Sequence, residues 1–320
     1  MVETSDEWIR ERTGIAERHV SVGETVVTLA SEAARKALEQ AGKRAEEIDL
    51  ILVATCSPEQ YLPCCACQVQ AAVGAVNALA FDVNAACSGF LFALNTADAY
   101  LRMGLAENAL IIGSEVLSKL VDWTDRGSCI LFGDGAGAVV VERCKAESRA
   151  VEEKQIPAAG ILGRALHSDG TGGGVLQCDA RELTTPYART SAVKTDQNQT
   201  TDSREHYIQM DGQEVYRFAT RRVPQCIEEA LSDAGLAVPD IDMFVLHQAN
   251  ARIIDAVAKR LHADREKFPT NLERVGNLSS ASIPVLLDKL HKQGKLHRGD
   301  RIVLAGFGAG LTIGACVMTW

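Results

Sequence analysis

"ALEQAGKRAEEIDLILVATCS", residues 37–57, returns further along the chain as "ALSDAGLAVPDIDMFVLHQAN", residues 230–250. The two stretches align without a gap at an offset of 193 residues, and Ala37/Ala230, Leu38/Leu231, Ala41/Ala234, Gly42/Gly235, Ile48/Ile241 and Asp49/Asp242 are identical. Each copy reads as a helix ended by a glycine, a short loop, then an apolar strand. The same offset sets Asn84 on Asn277, Cys87 on Ser280, and ALIIG (109–113) on IVLAG (302–306). Repeated matches at one offset point to a duplicated chain. Residues 58–83 align poorly, so local insertions cancel there.

Each half alternates helices and strands, which predicts an α/β architecture with a largely buried sheet. In the first half, helices are expected near 26–41, 65–73 and 87–103, with strands at 49–54, 79–83, 109–113 and 136–142. In the second, strands are expected at 160–167, 242–246, 301–305 and 311–318, with helices at 213–234, 250–261 and 282–293. The halves are placed at 1–145 and 155–320. The strand GILGRALHS (160–168) opens the second half, but the offset puts its first-half counterpart before Met1. The chain is therefore expected to lack an opening strand that its own symmetry calls for. The segment 179–206 is polar and turn-rich and reads as an exposed loop.

The 320 residues are 47% hydrophobic and 23% charged, an ordinary globular composition. The charged N-terminus has no apolar signal core, and no apolar run is long enough to span a membrane. A cytoplasmic location is expected. The ten cysteines then read as free thiols. Cys64, Cys65 and Cys67 lack a second ligand pair at zinc spacing and read as packing residues; no metal is expected. A net charge of −9 argues against nucleic-acid or anionic-membrane partners.

Among the ten cysteines, Cys87 in NAACSGF (84–90) sits where a strand meets a helix. A helix N-terminus favours thiolate and offers N–H groups to an oxyanion. A buried structural cysteine is the competing reading. His247 ends the strand of the second copy, and Asn277 precedes the helix that mirrors the Cys87 helix. The symmetry brings these strand ends to one place. The run FGDGAGAVVVE (132–142) leads into β-branched residues, not a helix, so it is no phosphate loop. It and FGAGLTIGACV (307–317) read as paired glycine turns.

With these pieces in hand, the chain resembles β-ketoacyl-acyl carrier protein synthase III, the initiating condensing enzyme of bacterial fatty acid synthesis, in the thiolase-fold superfamily. TSDEWIRERTGI (4–15), NAACSGF (84–90), DWTDRGSCILFGDGAGA (122–138), HQANARI (247–253), GNLSSAS (276–282) and FGAGLTIG (307–314) carry the resemblance. It implies a layered α-β-α-β-α fold and a triad of Cys87, His247 and Asn277. It implies CoA contacts at Thr4, Trp8, Arg12, Arg126, Gly212 and Asn250. It places an oxyanion hole at the Cys87 and Ala309 amides and an acyl pocket at Leu62 and Phe307, with Leu62 reaching a neighbouring copy in a homodimer.

The implied chemistry is transfer of an acyl group from acyl-CoA to Cys87, then decarboxylative condensation with malonyl-acyl carrier protein. No metal or redox cofactor is needed; the CoA thioester is a substrate. An acidic carrier protein would dock on the helix after His247, through Gln248, Ala249, Asn250, Ala251, Arg252, Lys259 and Arg260. The sequence departs from the family at Val275 and Leu278 around Asn277, and at Ala309 within the last glycine run. Ala309 serves as a donor only if its backbone does not need a positive φ. Other readings stay open: a starter synthase of polyketide or quinolone type, a degradative thiolase using Cys316, or an inactive scaffold.

Overall fold

The structure is a computed structural model that describes residues 2–144, 160–179 and 206–320. The loop expected at 179–206 therefore lies almost wholly outside the described residues.

In chain order the elements are α1 (Asp6–Thr13), α2 (Val26–Ala41), β1 (Leu50–Ala54), α3 (Cys65–Val73), β2 (Leu79–Val83), α4 (Gly89–Arg102), β3 (Asn108–Val116) and β4 (Asp134–Glu142). The second half adds β5 (Gly160–Ser168), β6 (Leu176–Gln177), β7 (Gln209–Met210), α5 (Gly212–Ala234), β8 (Met243–Leu246) and α6 (Ala251–Arg260). It closes with α7 (Leu272–Val275), α8 (Ser282–Lys292), β9 (Arg301–Gly308) and β10 (Thr312–Thr319).

Two four-stranded sheets form, in the orders β2-β1-β3-β4 and β5-β10-β9-β8. Their strands alternate between two cores, as a pleat of period two requires. Leu50, Leu52, Ala54, Ala109 and Ile111 enter one hydrophobic cluster, while Ile51, Val53, Leu110 and Ile112 enter another. In the second sheet Ile302 and Leu304 join the first of these, and Val303 and Ala305 a third. The shared cluster holds α4 and α8 between the sheets. Helices α2 and α3 cover the outer face of the first sheet, and α5 and α6 that of the second. This is the five-layered arrangement of the thiolase fold.

The duplication holds at the level of single hydrogen bonds. The Asp49 N–H donates to Asn108 O, and the Asp242 N–H to Arg301 O, both at 2.9 Å. Gly42 and Gly235 end α2 and α5 in the left-handed conformation, at φ 63° and 67°. Ala86 and Ser279, also 193 apart, are both non-glycine residues with positive φ, 47° and 48°.

The halves differ at their edges. In the second sheet β5 pairs antiparallel with β10. Among the described residues, β4, the counterpart of β10, pairs only with β3. Conversely, where the first half has β2, the second has the short helix α7, so each sheet stops at four strands. Sequence periodicity also missed α1, whose polar stretch is held by its caps: Ser5 Oγ accepts the Trp8 N–H, and Gly14 closes the other end.

The first glycine run is not a turn, contrary to its sequence reading. From Asp134 onward it is strand β4. Side chains at Gly133 and Gly137 would collide with the backbone of Val275 and of Pro284–Val285, and one at Gly135 would press on Leu278. Their absence lets the Asn277 segment and α8 lie on the strand.

Candidate active site

Cys87 lies in a single 3-10 turn, Ala86–Ser88, joined directly to the N-terminus of α4. The turn is pinned from β10: Ser88 Oγ and Thr312 Oγ1 are 2.7 Å apart, and Thr312 Oγ1 donates to Ala85 O at 3.2 Å. Beneath it runs β9, whose Gly306 and Gly308 share one face. A Cβ at Gly308 would sit 2.7 Å from the Cys87 nitrogen, and one at Gly306 would touch His247 Cβ at 3.4 Å. One strand therefore carries the Cys87 turn and His247 side by side.

His247 follows β8, its N–H donating to Ala305 O at 2.8 Å. Its ring meets Phe307 edge-on at 5.4 Å. Its Nδ1 is buried with no protein partner. Asn277 is tied to the first half by its backbone: its N–H donates to Leu131 O and its carbonyl accepts the Gly133 N–H. Its side-chain Oδ1 accepts the Ser279 N–H at 2.9 Å. Asn84, the mirror residue, makes the same turn to Ala86 at 3.3 Å, but stands exposed. Cys87, His247 and Asn277 are 9%, 3% and 6% exposed.

Burial sets the protonation states. It pushes the Cys87 thiol up to about 12, with Glu115 adding to the rise, while Ser279 and the turn's own N–H pull it down. The expectation that the helix terminus would hold a thiolate is therefore reversed: desolvation exceeds the gain from the N–H groups. Burial also lowers His247 to about 3, so its imidazole is neutral and can donate a hydrogen bond without carrying charge.

The residues expected at the nucleotide come together. The Arg126 guanidinium lies 4.8 Å from the Trp8 ring centre and that of Arg12 5.7 Å. Arg126 Nη1 donates to Glu3 O, beside Thr4. Asn250 caps α6 by accepting the Arg252 N–H and donates to Arg12 O at 3.2 Å. Gly212 opens α5, exposed. Leu62 is 86% exposed, whereas Phe307 is buried against His247. Ala309 is not among the positive-φ residues, so alanine fits there without strain.

One expected docking residue is corrected. Gln248 is fully buried: its Nε2 donates to Leu246 O and its Oε1 accepts the Asn271 N–H. It braces the strand end from inside and cannot reach a docked protein. Ala249, Asn250 and Ala251 are half-buried, and Arg252, Lys259 and Arg260 are exposed. Cys316 lies mid-strand in β10, wholly buried, with its thiol pushed up to about 12. A reactive second cysteine there would have no access to substrate.

Sequence reading missed Glu115 and Thr312. Glu115 is fully buried at the end of β3 and accepts from Thr55, Ser57, Ser279 and Ser280 hydroxyls and the Cys56 N–H. Burial raises its pKa, and those donors pull it back. An acidic residue near the end of a largely apolar strand is its sequence signal.

The stacked halves, with a cysteine, a histidine and an asparagine at facing strand ends, define a condensing enzyme of the thiolase fold. The family models described as 3-oxoacyl-[acyl-carrier-protein (ACP)] synthase III and its C-terminal region match residues 81–170 and 231–320. The chain is 46% identical over 320 residues to a beta-ketoacyl-[acyl-carrier-protein] synthase III of Clostridium acetobutylicum, covering all of this chain and 92% of that one. The crystal structure of 3-oxoacyl-[acyl-carrier-protein] synthase III from Aquifex aeolicus VF5 superposes with a TM-score of 0.87 at 40% identity, covering 100% of this chain and 92% of the other. The priming β-ketosynthase of the R1128 polyketide pathway superposes at 0.85 with 34% identity, covering 99% and 89%.

The chain belongs to the β-ketoacyl-acyl carrier protein synthase III family. It is an acyltransferase of the condensing type, acting in the initiating condensation of fatty acid synthesis. No helix among the described residues is long and apolar enough to cross a membrane.

Proposed function

We propose that this chain condenses a short acyl-CoA primer, acetyl-CoA, with malonyl-acyl carrier protein in the cytoplasm. Cys87 carries the acyl group between the two half-reactions. The observation that carries this reading is that β9 sets the Cys87 nitrogen against Gly308 and His247 against Gly306, with Asn277 buried two residues before the Ser279–Ala281 turn that packs on the Cys87 turn.

In the first half-reaction Cys87 Sγ attacks the thioester carbonyl. The C–S bond to CoA breaks, and CoA departs with the proton lost by the thiol. Because the resting thiol is protonated, its proton must leave in step with formation of the new C–S bond, and it ends on the departing CoA thiol. The Cys87 and Ala309 N–H groups hold the tetrahedral oxyanion, a donor of this kind being worth ~2.7–4 kcal/mol. In the second, malonyl-carrier protein loses CO2, and the electron pair of that bond forms an enolate. His247 and the Asn277 amide N–H donate to the enolate oxygen. The enolate carbon attacks the acyl-cysteine, the C–S bond breaks, and 3-ketoacyl-carrier protein leaves.

Trp8, Arg12 and Arg126 form a cationic-aromatic clamp suited to adenine, with Thr4 beside it and Gly212 and Asn250 toward the pantetheine. Exposed Arg252, Lys259 and Arg260 offer an acidic carrier protein a local basic face on a chain of net charge −9. The free edge of β2, with exposed Leu62, Val76 and Leu79 nearby, supports pairing with a second copy. The R1128 relative keeps a polyketide starter role as a second reading.

A competition among acetyl-, isobutyryl- and longer acyl-CoAs, with malonyl-carrier protein as acceptor, tests the reading. Acetyl-CoA should be preferred, with the acyl mass found on Cys87. An acyl-enzyme that persists in Cys87→Ala overturns it.

A further inference from the structure

The duplication places Glu115 and Gly308 at equivalent positions, 193 residues apart at the ends of β3 and β9. In the second half that position is empty and lies against the Cys87 turn. In the first half it is filled, and the Glu115 carboxylate lies against the mirror turn, Ser279–Ala281. Ser280 Oγ donates to Glu115 Oε1 at 2.7 Å and Ser279 Oγ at 3.2 Å. The other oxygen accepts from Ser57 Oγ at 2.5 Å, the Cys56 N–H at 3.1 Å and Thr55 Oγ1 at 3.2 Å. Donors from both halves thus converge on one side chain that solvent cannot reach.

The held turn is strained, because Ser279 sits at φ 48°, a conformation that a non-glycine residue keeps only where its surroundings impose it. The Ser279 N–H donates to Asn277 Oδ1. That bond commits the amide oxygen and leaves the Asn277 NH2 group, which has no hydrogen-bond partner among the described residues, able to donate to a substrate. Asn277 itself has no other side-chain tether among the described residues. Its amide orientation therefore depends on where Ser279 is held.

We propose that Glu115 is a positioning residue: it clamps the Ser279–Ser280 turn and thereby aims the Asn277 amide at the enolate oxygen of the condensation step. This rests on the role proposed for Asn277. Glu115 touches no reacting atom; on Cys87 it acts through its charge, which raises the thiol, and through Ser279, which lowers it, two opposed effects that leave acylation little changed when Glu115 is removed.

The two half-reactions separate this role from a structural one. Acylation is read as the mass gain of intact protein with acetyl-CoA, and decarboxylation as CO2 release from malonyl-carrier protein on the acylated enzyme. Glu115→Ala should slow decarboxylation about tenfold and acylation by less than about threefold. Glu115→Gln, which keeps size and an acceptor, should restore most of the loss. Placed on Asn277→Ala, Glu115→Ala should add nothing to the decarboxylation defect. If Glu115→Ala does not fold, Ser280→Ala loosens the same clamp from the other side and should show the same split. Equal losses in both half-reactions, or a further loss in the Asn277→Ala background, overturns the proposal. Full decarboxylation by Asn277→Ala alone would overturn the asparagine's role, a distinct failure.

Discussion

A side chain at Gly308 would begin 2.7 Å from the backbone nitrogen of Cys87. The neighbours it would meet, Cys87 N, Ser88 N and Ala85 O, are all backbone and cannot rotate away. Gly308→Ala should therefore push the Cys87 turn off its strand. We expect a stability loss of ~1–3 kcal/mol from overpacking and a fall of about a hundredfold in acylation from the displaced sulfur. Gly306→Ala, whose Cβ would make ordinary contacts at 3.4 Å and beyond, should keep most of its activity. Mass spectrometry of the acyl-enzyme and a thermal melt distinguish the two. Normal acylation by Gly308→Ala would contradict the geometry.

The titration of the site should follow burial. His247, lowered to about 3, should remain neutral down to pH 5, read from the 15N shifts of its ring. Below pH 6.5 the unfolded chain takes up a proton that the folded site refuses, so this group's stability contribution declines as pH falls toward 3. The buried thiols of Cys65, Cys87, Cys226 and Cys316, raised to about 12, act at the other end. Above pH 9 the unfolded chain ionises first, so the melting temperature should drop from pH 9 toward 12. Alkylation of resting Cys87 should rise with pH without a plateau below 10.

The clamp around Trp8 predicts a KM effect. Arg126→Ala removes the closer cation, 4.8 Å from the ring. KM for acyl-CoA should rise about 2- to 30-fold, the range that such a contact supports. The apparent KM for malonyl-carrier protein should not change. Trp8→Phe, which keeps an aromatic face, should lose less than Trp8→Ala. A matching rise for both substrates would remove Trp8 and Arg126 from the nucleotide site.

The self-association proposed above would run through the edge of β2, which pairs only with β1 among the described residues. Leu79 is 52% exposed at the start of that strand. Leu79→Lys places a charge on the edge and should shift the chain from dimer to monomer in analytical ultracentrifugation. An unchanged dimer would locate the interface elsewhere.

Much of the scaffold was legible because its signals are local. The alternation of Leu50–Ala54 and Ile302–Ala305 between two cores is written in the period of the strand, and Gly42 and Gly235 mark helix ends wherever they occur. Local signals also mislead. Gln248 beside His247 looks like a surface polar residue, yet Leu246 and Asn271 hold it inside. The run 133–137 looks like a turn, yet Gly133, Gly135 and Gly137 alternate into β4 to admit the Val275–Leu278 segment and α8. In the stretch 272–275 the repeat does not produce a strand, and a short helix takes the place of the edge.

The sequence by itself determined the order of the main helices and strands, the pairing of the two halves and the strand ends at which Cys87, His247 and Asn277 stand. Those follow from periodicity and from one repeat, both properties of neighbours along the chain. Tertiary structure decided which mirror residue is buried and in what charge state the site rests. Asn84 and Asn277 make the same turn, but only Asn277 is buried. Cys87 stands at a helix N-terminus that favours thiolate, but packing from the other half desolvates it and keeps its proton. Desolvation depends on atoms distant in sequence, so it is settled only when the two halves close on each other.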